Sequence, residues 1–167
     1  MTKQALAIRD LHSASRDMTV AEREALAFIA PLSADYPGIE DWFLGKVAPG
    51  LRAGTRRMVR IDRHGQIAAL GIAKAELGEA KICTVRVAPE FIGRGIGIRI
   101  FEDLMSWLGT DRPLATVSET KLNDFRRIFE HYGYRLTSVR TGLYVPSRAE
   151  YLFNEPLSPW GQTIPSN

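Results

Sequence analysis

Residues 82–108 read ICTVRVAPEFIGRGIGIRIFEDLMSWL. ICTVRV is apolar and rich in β-branched residues, which predicts a strand. Pro89 ends it, because a proline has no N–H to give to a ladder. Gly93, Gly95 and Gly97 then alternate with Arg94 and Ile96. From Ile96 the apolar residues Ile100, Phe101, Leu104, Met105 and Leu108 recur at helical spacing, so the turn opens into an amphipathic helix. A glycine-rich turn at a helix start exposes several backbone N–H groups at the positive end of the helix dipole. That is an anion site, and phosphate is its usual occupant.

Two nucleotide motifs fail on these residues. A Walker A loop needs Lys and then Ser or Thr after its last glycine, and here Ile98 and Arg99 follow Gly97. A dinucleotide fingerprint needs G-x-G-x-x-G with a ribose-binding acid downstream. These glycines are spaced two and two, and no such acid stands out.

Working outward, the chain has 167 residues, enough for one domain with a substantial core. Apolar content of 45% with 25% charged is an ordinary soluble composition. No run is long and apolar enough to span a bilayer, and MTKQALAIRDLHSAS lacks the apolar centre of a signal peptide, so a cytoplasmic location is expected. Cys83 is the single cysteine, which excludes an internal disulfide, and mid-strand it reads as a small hydrophobe. His12, His64 and His131 are scattered, so no metal site is expected. The net charge of +3 suits an anionic ligand.

ALAIRDL, residues 5–11, predicts a first strand. Thr19-Val20-Ala21-Glu22 fits a capping box, with a helix running to about Ala30 and closed by Pro31. A second helix begins near Ile39 and carries Trp42, Phe43 and Val47, with Pro49-Gly50 interrupting it. RRMVRI predicts strand two, Asp62 to Gly65 a hairpin turn, and Gln66 to Glu76 strand three. Leu77 to Ala80 makes the next turn and Lys81 to Val87 strand four. Strand five, Leu114 to Val117, is expected parallel to strand four because a helix intervenes. Leu122, Phe125, Ile128, Phe129 and Tyr132 mark a last helix, with Gly133 just past its end. Tyr134 to Tyr144 and Glu150 to Phe153 read as closing strands. Residues 1–154 thus form one domain, and 155–167, with three prolines, an irregular tail.

Val87-Ala88-Pro89 followed by Ile92-Gly93-Arg94-Gly95-Ile96-Gly97 resembles motif A of the GNAT superfamily, the acetyl-CoA-dependent N-acetyltransferases, which reads Q/R-x-x-G-x-G/A. Ile92 departs from it at the Gln/Arg slot. The element order also resembles that family as far as Phe153. The resemblance implies an α/β (α+β) fold with a mixed, mostly antiparallel sheet, strands four and five splayed, and about four flanking helices. It implies transfer of acetyl from acetyl-CoA to an amine on a small molecule, a protein or an aminoacyl-tRNA, with no metal, no membrane partner, and a homodimer left open.

By register with motif A, the resemblance has the Val85 N–H meet the acetyl oxygen and Val87 pair with the pantetheine arm, Arg86 lying between them. Ile92, Gly93, Arg94, Gly95, Ile96 and Gly97 surround the pyrophosphate. A second signature, N-x-x-A-x-x-x-Y closing on G-F, lies over KLNDFRRIFEHYGYR. It puts Phe129 in the slot of the usual acid tyrosine and Leu122 in the Asn slot, with Asn123 one residue away. Asn123 and Phe129 are therefore cofactor-side candidates, and Tyr132 can serve as acid only if the helix ends differently. The usual base position falls near Lys81, whose ordinary pKa of ~10.4 makes it a poor base. Glu79, on the same face of the strand, and Glu119, after strand five, are the carboxylates in reach. The segment between strands one and two covers the acceptor in this family, which makes Asp35, Tyr36, Glu40 and Trp42 acceptor-side candidates. Two other classes stay open: a weakly catalytic CoA-binding sensor or interaction module, and a nucleic-acid binder using Arg56, Arg57, Arg60 and Arg63.

Overall fold

Thr19 and Glu22 make the reciprocal cap their spacing predicts. Glu22 N donates to Thr19 Oγ1 at 3.1 Å, and Thr19 N to Glu22 Oε2 at 2.9 Å. This cap starts α1, Val20–Ile29, in a computed structural model that describes residues 17–156. The expected first strand and the end of the tail lie outside the described residues.

Pro31 does not close α1 abruptly. It enters a 3₁₀ turn, Ala30–Ala34, near the N-terminus of that turn, where its missing N–H has no partner to lose. Nor do Pro49 and Gly50 break the next helix. The chain runs from α2, Ile39–Trp42, through a π turn, Phe43–Val47, into α3, Ala48–Ala53. The wide turn resets the ladder, so that Ala48 N donates to Phe43 O and Pro49 falls in the first turn of α3, where no N–H is needed.

Three antiparallel strands follow: β1, Arg56–Arg63, β2, Gln66–Glu76, and β3, Glu79–Val87. Both turns between them are tighter than expected. His64-Gly65 and Leu77-Gly78 form two-residue hairpins with positive φ at both positions. Helix α4, Ile96–Leu108, leads to β4, Leu114–Ser118; α5, Leu122–Tyr132, leads to β5, Leu136–Thr141, and then β6, Ala149–Phe153. Strand β5 is shorter than Tyr134 to Tyr144. Asn154 caps its start, its Oδ1 accepting from Arg135 N, and Gly142 turns it away at φ +79°.

The sheet order is β1-β2-β3-β4-β6-β5, with β3 and β4 the one parallel pair. This is the mixed, mostly antiparallel sheet that was expected, with strands four and five of the sequence reading as β3 and β4. That pair is matched only at Lys81↔Leu114 and Ile82↔Ala115. Beyond Ala115 the strands part, and β4 continues beside β6 alone. Just past the last matched pair, Ile72 lies opposite Thr84 and Ala73 opposite Ile82, so Cys83 is the extra residue of a bulge. A bulge bends and twists its strand, which helps carry β3 away from β4.

Each face of the sheet has its own core. On one face α4 and α5 cover Ile100, Phe101, Leu104, Phe129, Tyr134 and Phe153. On the other α1 to α3 cover Ile29, Phe43, Val47, Leu70 and Ile72. Helix α4 rides directly on β2 at Gly71, where a Cβ would stand 2.8 Å from Leu104 Cδ1 and closer still to Ile100 Cγ2. The close approach fixes where the N-terminus of α4 meets the gap.

Candidate active site

The gap between β3 and β4 opens into a cleft of about 390 Å³. Its walls are residues 82–87 of β3, Ala115 to Val117 of β4, the glycine turn, and the inward side of α5. Consecutive N–H groups of a strand point to alternate edges. Ala88 N donates to Ala68 O of the strand β2 at 2.8 Å, so the N–H groups of Val87 and Val85 point the other way, into the gap.

The glycine turn has the form an anion needs. Gly93 and Gly95 hold φ +80° and +74°, and a Cβ at either would meet nothing within 4 Å. The turn is bent for glycine and leaves open room beside it. Among the described residues, no main-chain acceptor takes the N–H groups of residues 93–98; the first one taken is Arg99 N, by Gly95 O at 3.4 Å. Ile92 N is already engaged with Pro89 O at 3.4 Å, and its side chain is exposed. Arg94 folds back over the Phe91 ring, 5.8 Å from its centroid, and does not line the cleft. Lys121 and Arg127 do, supplying positive charge that no sequence motif singled out.

Asn123 is exposed and accepts from Arg126 Nη2 at 3.1 Å, away from the cleft; Asp124 and Ile128 line it from the same helix. Phe129 lines the cleft while packed among Phe153, Tyr134 and Phe125, with ring centroids 4.4, 5.1 and 5.9 Å away. Tyr132 is outside the cleft. Its hydroxyl donates to Glu102 at 3.2 Å, and burial followed by the Glu102 charge raises its pKa. The cleft therefore holds an apolar ring where a tyrosine acid was sought, and α5 ends at Gly133 in the left-handed conformation as expected.

Tyr36 and Asp35 stand at the acceptor side. Tyr36 lines the cleft, and its hydroxyl accepts from Ser118 N at 3.4 Å, where β4 ends. Asp35 accepts from Thr120 Oγ1 at 2.8 Å and pairs with Arg148. Trp42 is elsewhere: it packs into the α1–α3 core with Arg56 over its ring at 5.8 Å. The two candidate carboxylates are otherwise engaged. Glu79 pairs with Lys74, and Glu119 is exposed, its Oε1 accepting from Ala149 N at 3.2 Å. Cys83 lines the cleft as a protonated thiol, its pKa raised by burial. The arginine cluster is no open basic face, since Arg56 is buried and Arg60 pairs with Glu24 and Asp62.

The sequence reading missed Glu150 and Tyr144. Glu150 lies on β6 opposite Ser118 and is 1% exposed. Burial pushes its carboxyl up to about 7, with Asp35 adding to the shift. Tyr144 meets Tyr36 edge to face, with centroids 5.3 Å apart. The available signal was alternation: in AEYLF, Glu150 shares the inward face with Leu152, a position that normally takes an apolar residue.

No family model matches the sequence, and no curated protein matches it. Solved structures do. One is a GNAT-family acetyltransferase from Desulfovibrio desulfuricans, 17% identical, with a TM-score of 0.56 over 92% of each chain. Another is an aminoglycoside 6′-N-acetyltransferase complexed with coenzyme A, 14% identical, with a TM-score of 0.57 over 83% of this chain and 91% of that one. A third is the ribosomal-protein-S18-alanine N-acetyltransferase of Escherichia coli, 17% identical, with a TM-score of 0.52 over 64% of this chain and 74% of that one. The chain has the GNAT fold.

Proposed function

We propose that this protein is an acetyl-CoA-dependent acyltransferase that acts on a primary amine. The observation that carries the reading is the run of N–H groups at residues 93–98 with no main-chain acceptor among the described residues, in a turn that lines the cleft and leaves open room at Gly93 and Gly95. A pyrophosphate fits there against fixed dipoles, with Lys121 and Arg127 adding charge. The Val87 and Val85 N–H groups, left without a strand partner, extend the site along the gap as donors to an amide arm and then to a thioester oxygen. Polarising that carbonyl with a fixed N–H is the largest contribution this backbone can make to the reaction. Coenzyme A supplies an activated thioester and a good leaving group. Phe129 offers no proton at that end of the cleft, so the leaving thiolate takes its proton from water entering through the open mouth.

The aminoglycoside and S18-alanine enzymes of the same fold act on amines, as their names say. The acidic and tyrosine side chains at Asp35, Tyr36 and Tyr144 suit a cationic amine here too. A second reading, a CoA-binding module with little turnover, is favoured by Phe129 alone. The test is a titration with CoA and a thiol-release assay with acetyl-CoA over a panel of amines. CoA at 100 times its Kd should raise stability by about 2.7 kcal/mol. No melting shift at millimolar CoA overturns the whole reading, and binding without turnover on every amine leaves the module.

A further inference from the structure

Among the described residues, the Glu150 carboxylate is buried with no hydrogen-bond partner on either oxygen. A buried carboxylate left in that condition is expensive, and native proteins rarely keep one without use for it. Ser118 of β4 lies directly opposite, so the two side chains share a face of the sheet. The Ser118 hydroxyl is 3.2 Å from Thr120 Oγ1, and the Ser118 N–H is engaged by Tyr36. From the segment before α2, Asp35 and Tyr36 face it; from β3, Lys81; from beyond β4, Glu119; from the β5–β6 link, Tyr144 and Arg148. Arg148 is paired with Asp35, and Arg140, across the ladder from Glu150, is paired with Glu155. Neither cation is bonded to Glu150. The Tyr36 hydroxyl sits on Ser118 N, directly across the ladder from Glu150, and burial followed by the Glu150 charge raises the pKa of both the Tyr36 and the Tyr144 phenol.

We propose, resting on the acyl-transfer reading, that Glu150 is the proton acceptor for the acceptor amine, which arrives as an ammonium ion beside the Tyr36–Tyr144 pair. The outer side of this edge-to-face tyrosine pair and an unpartnered carboxylate form a seat for a primary ammonium. Tyr36 belongs to the cleft wall, so the seat adjoins the gap where the thioester carbonyl is held. In the step, one N–H proton passes to a Glu150 oxygen and leaves a lone pair on nitrogen. That pair forms the C–N bond to the acetyl carbon. The C–S bond breaks, sulfur leaves with its electrons, and the second nitrogen proton is lost to water as the amide forms. A carboxyl that titrates near neutrality is matched to this work at pH 7.

The experiment uses the full chain and Glu150→Gln, which keeps the shape and cannot take the proton. The infrared carboxylic-acid band is followed from pH 5 to 9, with and without n-propylammonium chloride as the probe. The wild type should show a band that fades as pH rises through about 7, absent in the variant. The probe should move that midpoint downward, and should bind at least tenfold tighter at pH 8 than at pH 5 in the wild type only. CoA affinity should match within twofold between the two proteins, which shows that the variant is folded. A band that ignores the probe marks a purely structural carboxyl and overturns the proposal, as does an unchanged band in Glu150→Gln. If the probe shifts the midpoint but CoA fails to bind the wild type, the acyl-transfer reading falls and the ammonium seat stands.

Discussion

The two ends of the β3–β4 gap are built from different material. The end under α4 is made of backbone: N–H groups at residues 93–98 and at Val85 and Val87 with no main-chain partner among the described residues, and glycines at 93 and 95 that leave room beside the turn. On the β6 side the wall is made of side chains: Tyr36 lines the cleft, and Asp35, Tyr144 and the buried Glu150 gather around it from separate segments of the chain. A backbone site constrains its own sequence, because only glycine adopts those φ values cheaply. A side-chain site constrains only the distant residues that happen to converge. The first end can thus be found by local pattern, and the second only after folding.

The largest expected effect breaks the first end. Gly95→Glu should cut CoA affinity about 100-fold or more, the equivalent of about 2.8 kcal/mol. The carboxylate would sit where the proposed reading puts the pyrophosphate. The open space at Gly95 means that the fold tolerates the side chain, at about 1–2 kcal/mol for its left-handed backbone. Calorimetric titration of a folded variant with native affinity would show that the two ends have been assigned the wrong way round.

A middle-sized effect sharpens the second end. The Glu150 carboxyl is raised from 4.5 to about 7 in the folded chain. The folded state therefore binds its proton more tightly than the unfolded chain. Stability from this group declines as pH rises from about 4.5 to about 7 and stays down above that. Glu150→Gln should remove that slope, adding about 1–3 kcal/mol at pH 8 and nothing near pH 4. Urea melts of both proteins across that range decide it; parallel pH profiles would mean Glu150 is not the strained group.

The smallest effect concerns Tyr132. Its hydroxyl faces Glu102, outside the cleft. Tyr132→Phe should lower kcat by less than about tenfold, well short of the ~10²–10⁴ that a true general acid contributes. Phe129→Tyr should be tolerated or mildly activating. A thousandfold loss in a folded Tyr132→Phe would require α5 to be set differently against the gap.

The sequence made the frame legible where one residue type dictates geometry. The Thr19 and Glu22 cap, Gly133 after α5, and the strand-glycine-helix order around Gly95 all stand as expected. Pro49 misled because its effect depends on register. A single π turn moved it from a helix interior to a first turn, and nothing local encodes that turn. Asn123 misled by spacing: one residue on a helix is a rotation of roughly 100°, enough to carry it from the cleft to solvent. Glu150 was hidden because its significance lies in what β4 and the β5–β6 link leave unpaired around it.

The short β3–β4 seam has a mechanical consequence. Two matched pairs join a three-stranded sheet, β1-β2-β3, to another, β4-β6-β5. Further along, the helices on one face must keep the halves in alignment. On the proposed reading, a ligand bound to the Val85 and Val87 amides would fill in the absent stretch of ladder and so act as mortar as well as reactant. Deuterium uptake at those two amides should then slow on CoA binding together with uptake in β4, on the far side of the seam. The protein would stiffen across the whole sheet when the donor is in place and loosen again each time the product departs.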